Sequence, residues 1–443
     1  MSSLRCDVAI VGGGCAGLWL AFWLAQHKIS CIVLDIVDER SRGFASYAST
    51  RNQGWLQSGA FYLAINDVDR EAAIACRDGY HFVKSFAPEA LLPKVPCYYL
   101  FEDEQDRNDV VESCGFLGIH ARKIKDMDDV HKRTSLLVGS RLVYAAELFD
   151  CPMDTTRLLT ILVRQLHGMG VQFMSVPSLD ALSATWDKRG WSLKLDAAPL
   201  LQSKAVVLAS GVLIPRLLQR FLINNPVGEN DYVLKKIPVL VMKGDVSKAM
   251  LLTPKVSSGP QLVPFAIDGP IKGATVCLLR VDTEIKDPSD QSLPPSNANG
   301  SIEEHARQLL RWFPGIQSLV SPRKRNTIMA HFYVCQKLQL GAKLEKEQGD
   351  STHVSRGHIW MPYSPYSDAP PSLFAFYPGK FTAAPIAAWR CAGDLEALMG
   401  WTNRASKVLE ASEFLPVVAK QRYYDQSLYY MRMNGRRLVF TRK

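Results

Sequence analysis

"CDVAIVGGGCAGLWLAFWLAQHKISCIVLD", residues 6–35, is the stretch of sequence that decides the fold of this chain. Its first part, up to Val11, is largely apolar and β-branched, as in a buried parallel strand. Three glycines at positions 12, 14 and 17 follow in the pattern G-x-G-x-x-G, and an apolar helix is predicted from Leu18 to His27. A second apolar strand begins at Cys31 and ends at Asp35.

This order of strand, glycine turn, helix and acidic residue predicts a dinucleotide site. Gly12 allows the tight turn, Gly14 lets the backbone approach a pyrophosphate, and Gly17 lets the helix pack closely on the strand. The amides at the start of the helix point at the phosphates, so Cys15 and Ala16 are predicted contacts as well. Asp35 is placed to bind ribose hydroxyls. The pattern by itself does not separate FAD from NAD.

Composition indicates an ordinary globular protein. A chain of 443 residues with 47% hydrophobic and 21% charged residues predicts two or three domains at about 150 residues each. The net charge of +9 is weak evidence for a polyanionic partner, and no nucleic acid is expected. The uncharged run 8–26 resembles a signal peptide or a membrane-spanning segment, but three consecutive glycines interrupt it.

The ten cysteines are scattered without a CxxC pair. This usage indicates reduced thiols in a reducing compartment, so we expect a cytoplasmic protein without a zinc site.

Two later regions of the chain, residues 155–211 and residues 373–385, predict further cofactor contacts. "GVQFMSV", which ends at Val176, and "KAVVLASG", which ends at Ser210 and Gly211, are read as short buried strands, and the helix predicted at 155–168 precedes them. In "LFAFYPGKFTAAP", residues 373–385, a strand runs into a turn and a helix begins near Thr382. A helix N-terminus at this place would stabilise negative charge on a reduced flavin. The predicted contacts of this stretch are Gly379, Lys380, Phe381 and Thr382.

"ASTRNQGWLQSGAFY", residues 48–62, has no amphipathic period that packing would explain. Together with the three stretches above, it resembles the FAD-dependent oxidoreductases of the D-amino-acid-oxidase superfamily over nearly the whole chain. It is most similar to the corresponding segment of L-2-hydroxyglutarate dehydrogenase and FAD-linked glycerol-3-phosphate dehydrogenase relatives. The resemblance implies FAD as the cofactor, with Ser49, Thr50, Arg51 and Asn52 along it and Gly54 keeping the loop close to the ring.

The resemblance also implies the chemistry. A small 2-hydroxy acid, polyol phosphate or amine or amino acid would pass a hydride to flavin N5, and oxygen or a quinone would reoxidise the flavin. Two departures concern the substrate side. Gln57 stands where the family carries a histidine, and the stretch "IMAHFYVCQKLQLG" lacks the family's arginine and proline.

Candidate catalytic residues are Gln57, Tyr62, Arg280 and His331, the last sharing one face of its predicted strand with Tyr333. For each of them a purely structural role stays open. A solvated strand end would also explain Arg280, and a half-buried position in the sheet would explain His331.

The predicted fold class is α/β: a Rossmann-like FAD-binding domain, with a parallel sheet and helices, plus a substrate domain built on an antiparallel sheet. We expect residues 1–79, 150–228 and 356–443 in the FAD-binding domain, and 80–149 and 229–355 in the substrate or cap domain. The alternative function is a binding protein of the same fold with little turnover that acts through a basic surface on RNA or a protein partner. The basic C-terminus, "YYMRMNGRRLVFTRK", would also suit peripheral contact with a membrane.

Overall fold

A computed structural model describes most of the chain. The described residues are 4–37, 43–46, 48–52, 54–65, 70–92, 94–187, 189–196, 198–221, 232–244, 246–255, 259–265, 274–279, 283–286, 292–293, 295, 301–320, 328–340, 358–360, 372–401, 428–434 and 437–442. They form two compact units, one of residues 1–50, 156–234 and 337–421 and a second of residues 51–155, 235–336 and 422–443.

The strands, in chain order, are β1 (Leu4–Val11), β2 (Cys31–Ile36), β3 (Trp55–Leu56), β4 (Cys97–Phe101), β5 (Ala121–Ile124), β6 (Tyr144–Leu148), β7 (Cys151–Pro152), β8 (Gln172–Val176), β9 (Leu182–Asp187), β10 (Gly190–Leu195), β11 (Ala198–Leu208), β12 (Tyr232–Lys243), β13 (Met250–Leu252), β14 (Pro260–Phe265), β15 (Ala274–Leu279), β16 (Thr283–Ile285), β17 (Ile328–Leu340), β18 (His358–Trp360), β19 (Leu373–Tyr377), β20 (Leu428–Asn434) and β21 (Arg437–Arg442).

The helices are α1 (Cys15–Gln26), α2 (Ala60–Ile65), α3 (Arg70–Phe86), α4 (Glu104–Phe116), α5 (Met127–Thr134), α6 (Thr155–Gly168), α7 (Ile214–Phe221), α8 (Ile302–Trp312), α9 (Ile316–Leu319) and α10 (Ala384–Leu398), with short 3₁₀ turns at Pro88–Ala90 and Gly211–Leu213. No helix within the described ranges has both the length and the apolar character needed to cross a membrane.

The first unit is built on a mostly parallel sheet, as predicted, in the order β18-β19-β11-β1-β2-β8, with the edge strand β18 antiparallel to β19. The pairs β1–β11, β1–β2, β2–β8 and β11–β19 are all parallel. Val8, Ala9 and Ile10 of the central strand are fully buried, which explains why β1 reads as a continuous apolar run rather than an alternating one. The hairpin β9–β10 adds antiparallel strands through β11. The Rossmann-like fold class is thereby confirmed.

The second unit contains a larger sheet in the order β21-β20-β17-β12-β15-β14-β13-β4-β6-β5, with β16 paired to β12. The pairs β12–β15, β14–β15, β17–β20 and β4–β6 are antiparallel, as predicted. The pair β13–β4 is parallel, with Met250 opposite Cys97. These two strands lie about 150 residues apart in the chain, so no hairpin turn dictates their direction. The sheet is therefore mixed.

Several predicted boundaries hold and others move. The helix at 155–168 and the strand at 373–377 have the predicted bounds. Helix α1 begins at Cys15 rather than Leu18, β11 begins at Ala198 rather than Lys204, and α10 begins at Ala384 rather than near Thr382. The elements β3, α2, β20 and β21 fall in the second unit, whereas the predicted ranges grouped them with the cofactor domain. Which unit serves the cofactor and which the substrate stays a prediction.

Candidate active site

The turn after β1 requires glycine for two independent reasons. Gly12 has a φ of +128°, a region that L side chains rarely adopt. A Cβ atom placed on Gly12 would lie 2.6 Å from the backbone of Ala209, just after β11. The Gly12 amide donates to the Leu34 carbonyl at 2.6 Å. A Cβ atom on Gly17 would collide with the Gly12 carbonyl oxygen. The G-x-G-x-x-G spacing thus holds the start of α1 against the ends of three strands.

The N-terminus of α1 is prepared for an anion. Its N-cap residue, Gly14, supplies no side-chain hydrogen bond, and the Cys15 amide donates to the Ser49 hydroxyl at 2.9 Å. A Cβ atom on Gly14 would lie 2.9 Å from the same hydroxyl oxygen. Ala16, which follows Cys15, is half-buried. First-turn amides that lack partners within the helix bind phosphate oxygens, so these residues fit a pyrophosphate.

The second helix N-terminus, at α10, lies beside the first. Gly379 has a φ of +70°, and the Lys380 amide donates to the Pro378 carbonyl at 2.7 Å. The N-cap residue Ala383 gives α10 no side-chain cap, and the neighbouring Thr382 is buried. The carbonyl oxygen of Phe381 lies 3.8 Å from Cys15 Sγ. Two helix N-termini therefore meet at one place, which suits a ligand with several electron-rich groups.

Cys15 is not a reactive thiol. Burial raises the pKa of the Cys15 thiol, so the group stays neutral near pH 7 and acts as a small apolar side chain. The ten cysteines all lie within the described residues and form no disulfide. Within those same residues, no group of three or more metal-ligating side chains comes together.

Asp35 lies one residue before the end of β2 and faces the glycine turn. Its Oδ2 accepts the Ala45 amide at 2.7 Å, and a Cβ atom on Gly13 would lie 2.9 Å from the Asp35 carboxyl carbon. Burial raises the pKa of Asp35 to about 6, although the amides of Gly13, Ala45 and Ile36 oppose the rise. A carboxylate acceptor at the end of β2 fits a ribose hydroxyl.

The remaining predicted contacts of the first unit lie at strand ends. The Ser210 hydroxyl donates to the Val11 carbonyl at 2.5 Å and so joins the ends of β11 and β1. Gly211 follows with a φ of +57°. Val176 ends β8, is fully buried, and its carbonyl accepts the Val37 amide at 2.8 Å. Thr50 is buried as well, and its hydroxyl donates to a nearby backbone carbonyl.

In the second unit, Arg51 and Asn52 lie against β17. The Tyr333 hydroxyl donates to the Asn52 carbonyl at 3.4 Å. Burial raises the pKa of Tyr333 well above its ordinary value, and the positive charge of Arg51 acts in the opposite direction. His331 lies two residues before Tyr333 and is also buried, so the two side chains project from the same face of the strand. The structure thus brings Tyr333 to the predicted cofactor loop.

The loop that carries Gln57 is tightly held. The Asn52 side chain accepts the Gly54 amide at 2.8 Å, and Gly54 has a φ of +63°. Gln57 is 8% exposed and Tyr62 is 6% exposed. The Tyr62 amide donates to the Gly59 carbonyl at 3.1 Å in the first turn of α2. Both predicted residues therefore lie in one buried segment, while Arg280 lies outside the described residues.

Asp150 is the residue of this unit that sequence reasoning missed. It is 2% exposed and accepts hydrogen bonds from Trp55 Nε1 at 2.9 Å, Ser58 N at 2.6 Å and Tyr99 Oη at 2.7 Å. Burial raises the pKa of Asp150, and these donors oppose the rise. No local pattern identifies this residue, because its partners lie in two other segments of the chain.

Comparisons with known proteins bear on the family and the fold. A family model described as "FAD dependent oxidoreductase" (DAO) matches residues 7–330. The A subunit of the anaerobic glycerol-3-phosphate dehydrogenase of Haemophilus influenzae is 34% identical over 165 residues, which are 36% of this chain and 27% of that protein. The match thus spans about a quarter of the relative's length.

Two solved structures show the same fold at low identity. Glycine oxidase from Geobacillus kaustophilus has a TM-score of 0.62 at 15% identity, covering 93% of this chain and 100% of its own. L-α-glycerophosphate oxidase from Mycoplasma pneumoniae, solved with FAD bound, has a TM-score of 0.63 at 15% identity, covering 94% and 98%. At this identity the likeness concerns the fold alone.

Proposed function

The chain belongs to the DAO family of FAD-dependent oxidoreductases, and from that premise we propose that it oxidises a small substrate that carries a carboxylate or phosphate group. A 2-hydroxy acid or polyol phosphate is the first candidate. The alternative of a binding protein with little turnover is not favoured, because the family match covers most of the chain and is to oxidoreductases.

The observation that carries this proposal is the position of Arg51 in the second unit. Its charge acts on the hydroxyl of Tyr333, and the neighbouring Asn52 carbonyl accepts that hydroxyl. A guanidinium stays charged at any physiological pH and binds carboxylate or phosphate through two parallel hydrogen bonds. Arg51, predicted from the resemblance to lie along the FAD, is therefore also suited to bind an anionic substrate.

Other residues of this chain would hold the cofactor and accept the substrate proton. FAD, when bound, supplies a two-electron acceptor for the substrate carbon. The first-turn amides of α1 and the Ser49 hydroxyl would hold its phosphates, and Asp35 a ribose hydroxyl. Gln57 does not titrate, so an alcohol substrate needs another base, for which the buried imidazole of His331 is the candidate.

The same feature favours a second candidate, an amino acid. A neutral amine carries its own lone pair and is oxidised without a dedicated protein base, which suits a loop with Gln57 in place of a histidine. The two candidates differ in pH dependence. Alcohol oxidation would require His331 as the base, whereas amine oxidation would follow the protonation state of the substrate amine.

An anaerobic titration tests the proposal. The yellow holoenzyme is mixed with glycerol 3-phosphate, 2-hydroxyglutarate, lactate, glycine and proline, and with uncharged glycerol as control, while the flavin absorbance is recorded. Bleaching by an anionic member and not by glycerol is the expected result. If none of the anionic compounds bleaches the flavin, or if Arg51→Gln leaves the KM unchanged, the proposal is wrong.

The electron acceptor and the location in the cell are part of the proposal. Oxygen or a quinone would reoxidise the flavin, and hydrogen peroxide measured during turnover separates them. We propose a cytoplasmic location, which the buried reduced thiols support. The basic hairpin β20–β21 would contact an anionic membrane surface. Sedimentation with anionic and neutral vesicles tests this contact.

A further inference from the structure

Asp150 is a buried carboxylate that joins three segments of the second unit. It follows β6 and directly precedes β7. Its Oδ2 accepts the indole N–H of Trp55 and the hydroxyl of Tyr99, and its Oδ1 accepts the amide of Ser58. A carboxylate buried away from water is costly unless such donors surround it. The donor set, with two N–H groups among three partners, requires an acceptor at both oxygens.

The segment that Asp150 holds is fixed at one end by a short ladder and at the other by a turn. Strand β3 pairs with β7 over two residues, Trp55 with Pro152 and Leu56 with Cys151. The chain then turns at Gly59, whose φ is +97° and where a Cβ atom would collide with the carbonyl of Ala73. Between the ladder and this turn, the bond from Ser58 N to Asp150 ties the backbone to the carboxylate.

Gln57 lies between this ladder and this turn. Trp55 is two residues before it and Ser58 one residue after it, and both are bound to the same carboxylate. Fixing the chain on both sides leaves the Gln57 backbone few alternative dihedral angles. The Gln57 backbone is therefore held by the bonds to Asp150 together with the ladder and the turn, although Asp150 and Gln57 lie far apart in the chain.

We propose that Asp150 is a positioning residue for the oxidation reaction, acting through the 55–58 segment to hold Gln57 in the active site. The inference rests on the proposed function, because it takes Gln57 as an active-site residue. It assigns a role that Tyr99, the third partner, does not share. Tyr99 binds the carboxylate from β4 and does not belong to the 55–58 segment.

The test compares Asp150→Asn with Tyr99→Phe in the holoenzyme. An asparagine has one acceptor oxygen, so at least one of the two N–H donors loses its partner. Tyr99→Phe removes one bond of the carboxylate and leaves both bonds to the segment. We expect Asp150→Asn to lower kcat/KM by about tenfold or more. Tyr99→Phe should stay within about twofold of the wild type.

Gln57→Ala completes a double-mutant cycle. If Asp150 acts through Gln57, adding Asp150→Asn to Gln57→Ala changes kcat/KM by less than about twofold. A full additional loss in that background would overturn the inference, and so would an Asp150→Asn enzyme with wild-type kinetics. If Asp150→Asn does not fold, Trp55→Phe removes the indole donor alone and should lower kcat/KM severalfold; no change would again overturn it.

Hydrogen exchange gives a readout that does not depend on turnover. The Ser58 amide of the holoenzyme should exchange faster in Asp150→Asn than in the wild type, and at the wild-type rate in Tyr99→Phe. Equal rates in all three proteins would overturn the inference. If no compound in the panel reduces the flavin, the proposed function fails by that result alone, and the exchange of the Ser58 amide still decides whether Asp150 holds the 55–58 segment.

Discussion

Replacing Asp35 by asparagine should make the stability of the FAD-free protein less dependent on pH. Asp35 lies at the end of β2, and burial raises its pKa from the ordinary 3.8 to about 6. The folded protein therefore binds this proton more tightly than the unfolded chain does. The free energy of unfolding must then fall as pH rises through this interval, because ionising a buried group destabilises the folded state.

The magnitude follows from the two pKa values. One pKa unit corresponds to about 1.4 kcal/mol, so the difference between 3.8 and about 6 amounts to about 3 kcal/mol at neutral pH. Some of the change is already complete at pH 4, because the unfolded carboxyl is then half ionised. Between about pH 4 and about pH 7 we expect the wild type to lose about 2 kcal/mol relative to Asp35→Asn.

Urea denaturation at several pH values measures this difference. Bonds that asparagine fails to make to Ala45 and Gly13 cost the same at every pH, so they cancel in the comparison across pH. A constant difference between the two proteins from about pH 4 to about pH 7 would refute the reasoning. The variant should also bind FAD about tenfold more weakly, because an amide oxygen is a poorer acceptor than a carboxylate for a ribose hydroxyl; flavin fluorescence reports this.

Three further substitutions test the site. Gly12→Ala should lower the free energy of unfolding by about 3 kcal/mol or more, because Gly12 has a φ of +128° and no room for a Cβ atom. The control Gly115→Ala, where a Cβ atom would meet open space among the described residues, should be neutral or slightly stabilising. Thermal melting compares the two variants, and equal melting temperatures would contradict the role of Gly12 in the turn. Ser49→Ala removes the partner of the Cys15 amide and should lower the free energy of unfolding by about 1 kcal/mol. It should also weaken FAD binding, which titration calorimetry measures, and an unchanged FAD affinity would argue against a phosphate contact at Ser49. Arg51→Gln should raise the KM for anionic substrates by about tenfold and leave the KM for neutral substrates nearly unchanged. Steady-state kinetics at saturating FAD measure both values, and equal effects on charged and neutral substrates would contradict the prediction.

Much of the first unit was predictable because its requirements are local. The glycines at 12, 14 and 17 form a motif at fixed spacing, within which Gly17 closely approaches the Gly12 carbonyl. The apolar run before them indicates a strand buried on both faces. The bounds of α6 and β19 agreed for the same reason. Boundaries moved where neighbouring elements decide, as at β11, whose first residues pair with β10.

The second unit was predicted less completely because its contacts join distant parts of the chain. The parallel pair β13–β4 has no turn signal, and Tyr333 reaches Asn52 across 281 positions. The alternation of apolar residues indicated strands there, and the shared face of His331 and Tyr333 followed from that alternation. Which loop that face would meet was not readable from the pattern.

The amino-acid sequence by itself determined the strands of the first sheet and the glycine turn, because each depends on residues close together in the chain or on motifs at fixed spacing. FAD was implied by the resemblance to a known family. Only the tertiary structure decided that Ser49 binds the first amide of α1 and that α10 begins beside it. It also brought Asp150 into contact with the loop that carries Gln57. Asp150 binds Ser58 and Trp55 there, which lie 92 and 95 positions away in the chain. A buried carboxylate is stable only where distant donors converge on it, and that convergence exists in the folded chain alone.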